Sequence, residues 1–182
     1  MTLPFFTIGH SNRTLEDFVA LLTGPGIDRV VDIRTVPKSR TNPQFNKDTL
    51  PDALAIAGIS YEHIADLGGL RGKARSVPAS VNAFWTNESF HNYADYALSA
   101  QFLAGLKHLR GEGHVRRCAI MCSEAVWWRC HRRIVADCLI ASGETVIHIM
   151  GQGRLNPARL TQGAVVQDNG TVVYPAADAP GL

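Results

Sequence analysis

The sequence lacks an apolar run long enough to cross a bilayer. Its first residues, Met-Thr-Leu-Pro-Phe-Phe, also lack the basic region and apolar core of a signal peptide. Net charge is low as well. The formal value of +2 argues against a protein that coats nucleic acid without specificity, although a local basic patch is compatible with it. These absences argue against a membrane protein and predict a cytoplasmic location.

Cysteine is scarce and unevenly distributed. The four cysteines are Cys118, Cys122, Cys130 and Cys138, and all lie within one predicted strand–helix unit. Such clustering is a poor basis for a disulfide framework. It predicts free thiols in a reducing compartment.

What remains is an ordinary globular composition, with 46% apolar and 19% charged residues over 182 positions. We expect a single domain over residues 1–182. Short apolar runs predict strands at 5–8, 30–34, 59–64, 119–121 and 145–150. Helical spacing predicts helices after the N-cap Thr14, over 48–57, over 92–109 up to the glycines at 111 and 113, and from Glu124 or Ala125 to about Ser142.

Strands that alternate with helices predict an α/β fold with a mainly parallel central sheet flanked by helices. Residues 151–161 are loop-like. After them, Asp168-Asn169-Gly170 separates two short apolar runs and predicts a small C-terminal β-hairpin with a primed turn. The tail, 175–182, is expected to fray.

Polar side chains follow the predicted strands where each strand ends. They are His10 and Ser11, the segment from Arg34 to Arg40, the segment from Leu67 to Arg71, Cys122 with Glu124, and the segment from His148 to Arg154. In parallel α/β sheets, ligands bind outside the carboxyl ends of the strands. We therefore expect these segments to meet at one edge and form a site.

Cys122 and Glu124 are the candidate catalytic residues, because they follow a buried strand and precede a predicted helix. A thiolate is stabilised at a helix N-terminus, so Cys122 is a candidate nucleophile; the competing interpretation is a half-buried packing residue. Glu124 is a candidate general acid or base, or a carboxylate that favours the helix N-terminus. His10 and His131 are the candidate proton partners.

Several residues nearby have competing interpretations. Arg132 either binds a substrate anion, holds Glu124 or lies on a solvated helix face. A metal site built from Cys122, Glu124, Cys130 and His131 is disfavoured, because the spacing matches no common zinc motif. His148 is interpreted as a core histidine. The glycine-rich segment from Leu67 to Lys73 either wraps a phosphate with its amides or crosses the surface; residues 66–87 form a lid or an irregular crossing.

Four segments together resemble a known family. They are Thr7-Ile-Gly9-His10-Ser11, the stretch from Asp32 to Phe45, Leu67-Gly68-Gly69-Leu-Arg71, and Met121-Cys122-Ser-Glu124 with Cys130-His131-Arg132. They are similar to the bacterial and archaeal domain-of-unknown-function family numbered four-eight-eight, over about residues 5–150. Residues 151–182 form an extension beyond the match. The resemblance implies a compact α/β domain and places these polar residues in the family pattern. It carries over no established activity and does not indicate which cofactor, if any, the protein uses.

The leading functional hypothesis is an enzyme with a basic pocket for a phosphate-bearing ligand, such as a nucleotide or a nucleic-acid end. Cys122 or Glu124 would perform the covalent or acid–base step, and no metal is expected. The predicted substrate-binding residues are Ser11, Arg34, Arg40, Arg71 and Arg132.

Two alternatives belong to other classes. One is a non-catalytic nucleic-acid-binding module in which Trp85 or Trp128 stacks on bases and five cations bind phosphates: Arg34, Lys38, Arg40, Arg71 and Lys73. The other is a redox or metal-binding protein built on the cysteines. The sequence predicts no oligomeric state.

Overall fold

The computed structural model describes residues 2–177, which form a six-stranded sheet covered by helices on both faces and a separate two-stranded sheet. The strands are β1 Phe5–Gly9, β2 Arg29–Asp32, β3 Ser60–His63, β4 Cys118–Cys122, β5 Val146–Gly151, β6 Arg154–Pro157, β7 Val165–Val166 and β8 Val172–Val173. The helices are α1 Leu15–Thr23, α2 Leu50–Ile56, α3 Glu88–Tyr96, α4 Ala100–Val115 and α5 Arg132–Ala141.

The six strands lie in the order β3-β2-β4-β1-β5-β6. All neighbouring pairs are parallel except β5 and β6, which are antiparallel. Strands β7 and β8 form the small antiparallel hairpin. The predicted α/β fold with a mainly parallel sheet and a C-terminal hairpin is therefore confirmed.

Two apolar cores lie on opposite faces of the sheet. Helices α1 and α2 pack on one face, where they meet Ala119 and Met121 of β4. Helices α3, α4 and α5 pack on the other, where Cys118, Ile120 and Cys122 point. Every residue of β4 is buried because helices cover both faces, which explains why this strand is apolar throughout.

The predicted helix over 92–109 is two helices in the structure. Helix α3 ends at Tyr96, and α4 begins after Ser99, whose hydroxyl accepts a hydrogen bond from the Phe102 amide at 3.2 Å. The prediction that the glycines end the helix is also wrong, because α4 continues through Gly111 and Gly113 to Val115. A β-carbon on Gly113 would lie 2.1 Å from the Phe5 ring, so this glycine permits close packing of α4 on the sheet.

The helix after β4 begins at Arg132, not near Glu124 or Ala125 as predicted. The intervening chain forms a loop with one 3-10 turn, Trp127–Arg129. Stacking of Trp127 on His148, at 4.4 Å between ring centroids, holds this loop against β5. Cys130, and not Cys122, is therefore the cysteine at a helix N-terminus.

Two smaller predictions for the C-terminal part were wrong. The segment 151–161 contains a strand, β6, which pairs with β5 after a turn at Gly153. In the hairpin between β7 and β8, Gly170 has a positive φ of 83° and Asn169 does not, so the predicted primed turn is absent. The tail predicted to fray is 175–182, and residues 178–182 of that tail lie outside the described part of the chain.

Candidate active site

A cavity of about 890 Å³ opens at the carboxyl ends of β1, β2 and β4. Strands β1 and β4 are neighbours, but the chain leaves β1 towards α1 on one face and leaves β4 towards α5 on the other. This divergence opens a crevice between the two strand ends, which is where open α/β sheets bind ligands. The predicted site residues that line the cavity are His10, Ser11, Arg34, Cys122, Glu124 and His131.

The floor of the cavity is built from the ends of β1 and β4. The amide of His10 donates to the Cys122 oxygen at 2.9 Å, and the amide of Ser11 donates to the Ser123 oxygen at 2.9 Å. A β-carbon on Gly9 would lie 1.7 Å from the Glu124 oxygen, so only glycine allows this approach. Ser11 has a φ of 49°, a left-handed conformation that is uncommon for serine and is often found at functional sites.

Cys122 and Cys130 meet in the cavity, where their sulfur atoms lie in direct contact. The prediction of free thiols is therefore confirmed for Cys118 and Cys138, whereas Cys122 and Cys130 form a pair of sulfur atoms in contact. Eight positions separate the two cysteines of this pair, and the loop between them brings them together. Their Cα atoms lie 7.6 Å apart, beyond the usual range of about 4.4–6.8 Å for bonded cysteines. A reduced pair suits this backbone at least as well as a bonded one.

Arg132 lies directly behind Cys122 and is only 1% exposed. Its Nε donates to the Cys122 sulfur at 3.0 Å, and its other nitrogens donate to Thr7 Oγ1 at 3.3 Å and to the Glu124 main-chain oxygen at 2.6 Å. No ion pair joins this guanidinium to a carboxylate in residues 2–177. Burial lowers the pKa of Arg132 to about 9, although the nearby Glu124 acts in the opposite direction. Arg132 thus holds the Glu124 backbone and not its carboxylate.

The second sulfur has a different set of partners. The His131 ring donates from Nε2 to the Ile33 oxygen at 2.8 Å, so its Nδ1 carries the free lone pair, 3.5 Å from the Cys130 sulfur. Burial lowers the pKa of His131 to about 4, which keeps the ring neutral near pH 7. The first amide of α5, that of Arg132, also donates to the Cys130 sulfur, at 3.4 Å.

The other two candidate residues near β1 and β2 are engaged by partners. His10 contacts the Ser11 oxygen through Nδ1 at 2.7 Å, and its Nε2 lies 3.2 Å from Arg34 Nη1. Burial lowers its pKa to about 4. Arg34 forms a two-point ion pair with the fully buried Asp32, at 2.9 and 2.7 Å. Tyr61 donates to the same carboxylate at 2.6 Å. The positive charge of Arg34 is therefore neutralised within the protein.

The predicted arginine cluster does not converge on the cavity. Arg40 is exposed outside it. Arg71 donates to the oxygens of Gly68 and Ala65 and lies 3.8 Å above the Tyr96 ring, beside a separate cavity of about 310 Å³. The cations at the mouth are instead Lys38 and Arg129, both exposed. Sequence reasoning did not name Arg129, and it placed Lys38 at this edge only as part of the segment from Arg34 to Arg40 and not among the substrate-binding residues of the enzyme.

The glycine-rich segment that follows β3 forms one wall of the cavity. A β-carbon on Gly69 would lie 2.5 Å from His131 Nδ1, and one on Gly68 would lie 2.6 Å from Thr35 Oγ1. The Leu70 amide donates to the same Thr35 hydroxyl at 2.9 Å. These glycines therefore make room for side chains, His131 above all.

Glu124 lines the cavity at its exposed rim, and its carboxylate has no hydrogen-bond partner in residues 2–177. His148 lies behind the site. It is buried, contacts Thr7 Oγ1 at 2.7 Å and is covered by Trp127, in agreement with a core histidine.

One group of side chains outside the cavity resembles a metal site within the described residues: Glu62, His108 and Glu112. Arg29 forms ion pairs with both carboxylates and supplies the positive charge there. This cluster is thus satisfied by the protein itself. Over the same residues, none of the helices combines the length and apolar character that a bilayer crossing requires.

Comparison with known proteins identifies a family for this chain. The family model described as Domain of unknown function DUF488 matches residues 14–139, which include β4, Cys122, Cys130 and most of α5. No curated protein and no solved structure matches the chain.

Proposed function

Because the chain belongs to the DUF488 family, whose description names no activity, we propose a function from the site itself. The protein is a cysteine-dependent enzyme that acts on an anionic substrate in the cavity between β1 and β4. Cys122 is the nucleophile, and Arg132 stabilises its sulfur as a thiolate.

The contact between Arg132 Nε and the Cys122 sulfur, at 3.0 Å, is the observation that carries this proposal. A buried guanidinium favours a negative charge beside it, and here the nearest group able to take that charge is a thiol. Burying an arginine without a carboxylate partner is costly. A thiolate at Cys122 would compensate that cost, which a neutral packing cysteine would not.

The anionic character of the substrate is supported by the mouth of the cavity. Lys38 and Arg129 line it, and their side chains make no hydrogen bond within residues 2–177. A volume of about 890 Å³ suits a small molecule of nucleotide size. A phosphate-bearing ligand therefore remains within the proposal, with Lys38 and Arg129 as its partners in place of Arg40 and Arg71.

The remaining roles follow from which groups are free. Glu124 has an unpartnered carboxylate at the rim and would serve as the general acid or base for the substrate. His131 has a free ring nitrogen next to the sulfur pair. Both ring nitrogens of His10 are occupied by Ser11 and Arg34, so we assign His10 to positioning of the cavity floor.

The test is alkylation of the fully reduced protein with iodoacetate or with neutral iodoacetamide, followed by peptide mass spectrometry. We expect Cys122 to react far faster than the buried Cys118 and Cys138. The Arg132→Lys variant should show alkylation of Cys122 slowed about tenfold to a hundredfold, because a charge-assisted hydrogen bond to the Cys122 sulfur is lost or misplaced.

Charge at the mouth is tested in the same assay. Lys38→Ala and Arg129→Ala should each slow iodoacetate about threefold to tenfold and leave iodoacetamide unchanged. Arg75→Ala, which removes an exposed cation outside the cavity, serves as the matched control. The proposal is wrong if Cys122 is alkylated no faster than an ordinary free cysteine of a folded protein. It is also wrong if the variants at the mouth change the rates with iodoacetate and with iodoacetamide equally.

The alternative of a nucleic-acid-binding module draws less support from the geometry. Trp85 is 8% exposed and stacks on Phe90, so its ring faces are not available to a base. Trp128 is 46% exposed but does not line the cavity. No observation brings an exposed aromatic ring and the basic residues together on one surface.

A further inference from the structure

The proposed nucleophile shares its cavity with a second sulfur, which that proposal leaves without a role. We propose that Cys122 and Cys130 form a reversible dithiol–disulfide couple, and that the site reduces small anionic disulfides by thiol–disulfide exchange. This inference rests on Cys122 as the nucleophile. It goes further in naming the substrate class and in assigning Cys130 as the thiol that resolves the covalent intermediate.

The first support is that each sulfur has its own polar partner. Arg132 Nε donates to Cys122, whereas the first amide of α5 donates to Cys130 and His131 Nδ1 lies 3.5 Å from it. The other two cysteines have no such surroundings. Burial raises the pKa of Cys118 to about 12 and also raises the pKa of Cys138. The polar contacts are therefore made to the sulfur atoms of Cys122 and Cys130, the two cysteines close enough to react with each other.

The second support is the orientation of His131. Its Nε2 is committed to the Ile33 oxygen, so only Nδ1 can accept a proton, and Nδ1 faces Cys130. Glycine at position 69 leaves the space that this ring occupies. The Tyr93 ring packs edge-on against it, at 5.0 Å between centroids. With its lone pair towards the thiol, this ring is oriented to accept a hydrogen bond from Cys130 as that sulfur attacks.

The third support is access. Both cysteines line the cavity, with Cys122 2% and Cys130 5% exposed, so a substrate that enters meets the edge of the sulfur pair. The mouth carries the charges of Lys38 and Arg129, which favour a disulfide that bears carboxylates over a neutral one. Thiolate attack on a disulfide sulfur through a mixed disulfide is the general route of such exchange.

The reaction has two balanced steps. The Cys122 thiolate attacks one sulfur of the substrate disulfide; a bond forms between these two sulfurs, the substrate S–S bond breaks, and one thiolate leaves with the electron pair. Cys130 then gives its proton to His131 Nδ1 and attacks the Cys122 sulfur. The Cys122–Cys130 bond forms, the second thiolate leaves, and it takes the proton from His131. The substrate gains two electrons, the protein dithiol loses two, and a soluble dithiol restores the reduced pair by the reverse steps.

The experiment uses dithiobis(nitrobenzoate), an anionic aromatic disulfide whose released thiolate absorbs visible light. We expect the reduced wild-type protein to release two thiolates per chain and to end with a Cys122–Cys130 disulfide. Cys118 and Cys138 stay unmodified. Cys130→Ser should release one thiolate and retain the mixed disulfide on Cys122, which mass spectrometry detects. For each reagent, the rate with the protein is divided by its rate with a free thiol. This ratio should be lower for neutral dithiodipyridine than for the anionic reagent.

The role of His131 is tested by resolving the two releases in time. His131→Gln should slow the second release about tenfold or more and leave the first unchanged, since the first step uses only Cys122. His108→Gln, an exposed histidine outside the cavity, serves as the control and should change neither release.

The outcomes separate the two proposals. If the wild-type protein stops after one release and keeps a stable mixed disulfide on Cys122, Cys130 does not resolve it; the inference fails, and Cys122 remains a nucleophile. If Cys122 resists both disulfides and both alkylating reagents in the folded, reduced protein, the inference and the proposed function fail together.

Discussion

At the scale of single residues, Gly9 shows how one missing atom permits the site. Its backbone lies so close to the loop after β4 that a β-carbon would overlap the Glu124 oxygen at 1.7 Å. The same oxygen accepts a hydrogen bond from Arg132, the residue that holds the Cys122 sulfur. The contact between β1 and this loop therefore controls the position of the guanidinium.

Gly9→Ala is expected to damage both stability and reactivity. The loop backbone must move, and overpacking of this kind costs about 1–3 kcal/mol or more of unfolding free energy. Displacement of the Glu124 oxygen should also slow alkylation of Cys122 several-fold. Denaturant unfolding and the alkylation assay measure the two effects. Gly72→Ala is the matched control, because nothing lies within 4 Å of its β-carbon. A Gly9→Ala protein as stable as the control would refute the close-approach argument.

At the scale of elements, α4 shows why local signals misplace a helix boundary. Two glycines near its end predict termination, yet the helix passes through both. Gly113 faces the sheet and lies against Phe5, whereas Gly111 is exposed and has nothing within 4 Å of a β-carbon. Tertiary packing of α4 on the sheet outweighs the low helix propensity of glycine.

The two glycines of α4 should respond in opposite ways to alanine. Gly111→Ala should raise the unfolding free energy by about 0.5–1 kcal/mol, because alanine favours the helix and meets no neighbour. Gly113→Ala should lower it by about 1–3 kcal/mol, because the new carbon overlaps the Phe5 ring. Urea unfolding of the two variants beside the wild type measures both. Equal changes in the two variants would contradict the assigned packing of α4.

At the scale of the whole molecule, burial of three histidines couples stability to pH. Burial lowers the pKa values of His10, His131 and His148 to about 4, from an ordinary value of 6.5. Between these values the unfolded chain takes up protons and the folded protein does not. The stabilisation is therefore fully present above about pH 6.5 and is lost as the pH falls towards 4. Asp137 opposes this trend, because burial raises its pKa.

The free energy of unfolding should accordingly fall between pH 6.5 and 4.5, by up to about 1.4 kcal/mol per pH unit for each histidine. Urea unfolding at several pH values measures the slope. His148→Gln should reduce the slope by about one histidine's share, because burial lowers the pKa of that ring to about 4. A flat profile over this range in the wild type would show that the three rings are not held neutral in the folded state.

Local patterns in the sequence were enough to predict the main features of the fold. Apolar runs identified the five parallel strands, and Thr14 marked the start of α1, where its hydroxyl accepts from the Asp17 amide at 3.1 Å. Because strand ends converge in a parallel sheet, polar residues after those runs also indicated the edge where the cavity lies. These features depend on local periodicity and on a general rule of topology, so they can be inferred without side-chain positions.

The chemistry at that edge depends on contacts that form when the chain folds. Arg34 and Arg132 are both arginines beside the site, yet one is neutralised by Asp32 and the other is buried against a sulfur. The meeting of Cys122 with Cys130 depends on a loop held in place by Trp127 on β5, a contact between residues distant in the chain. Which group a charged side chain or a thiol contacts depends on distances of a few ångströms between separate elements. A linear sequence does not contain those distances.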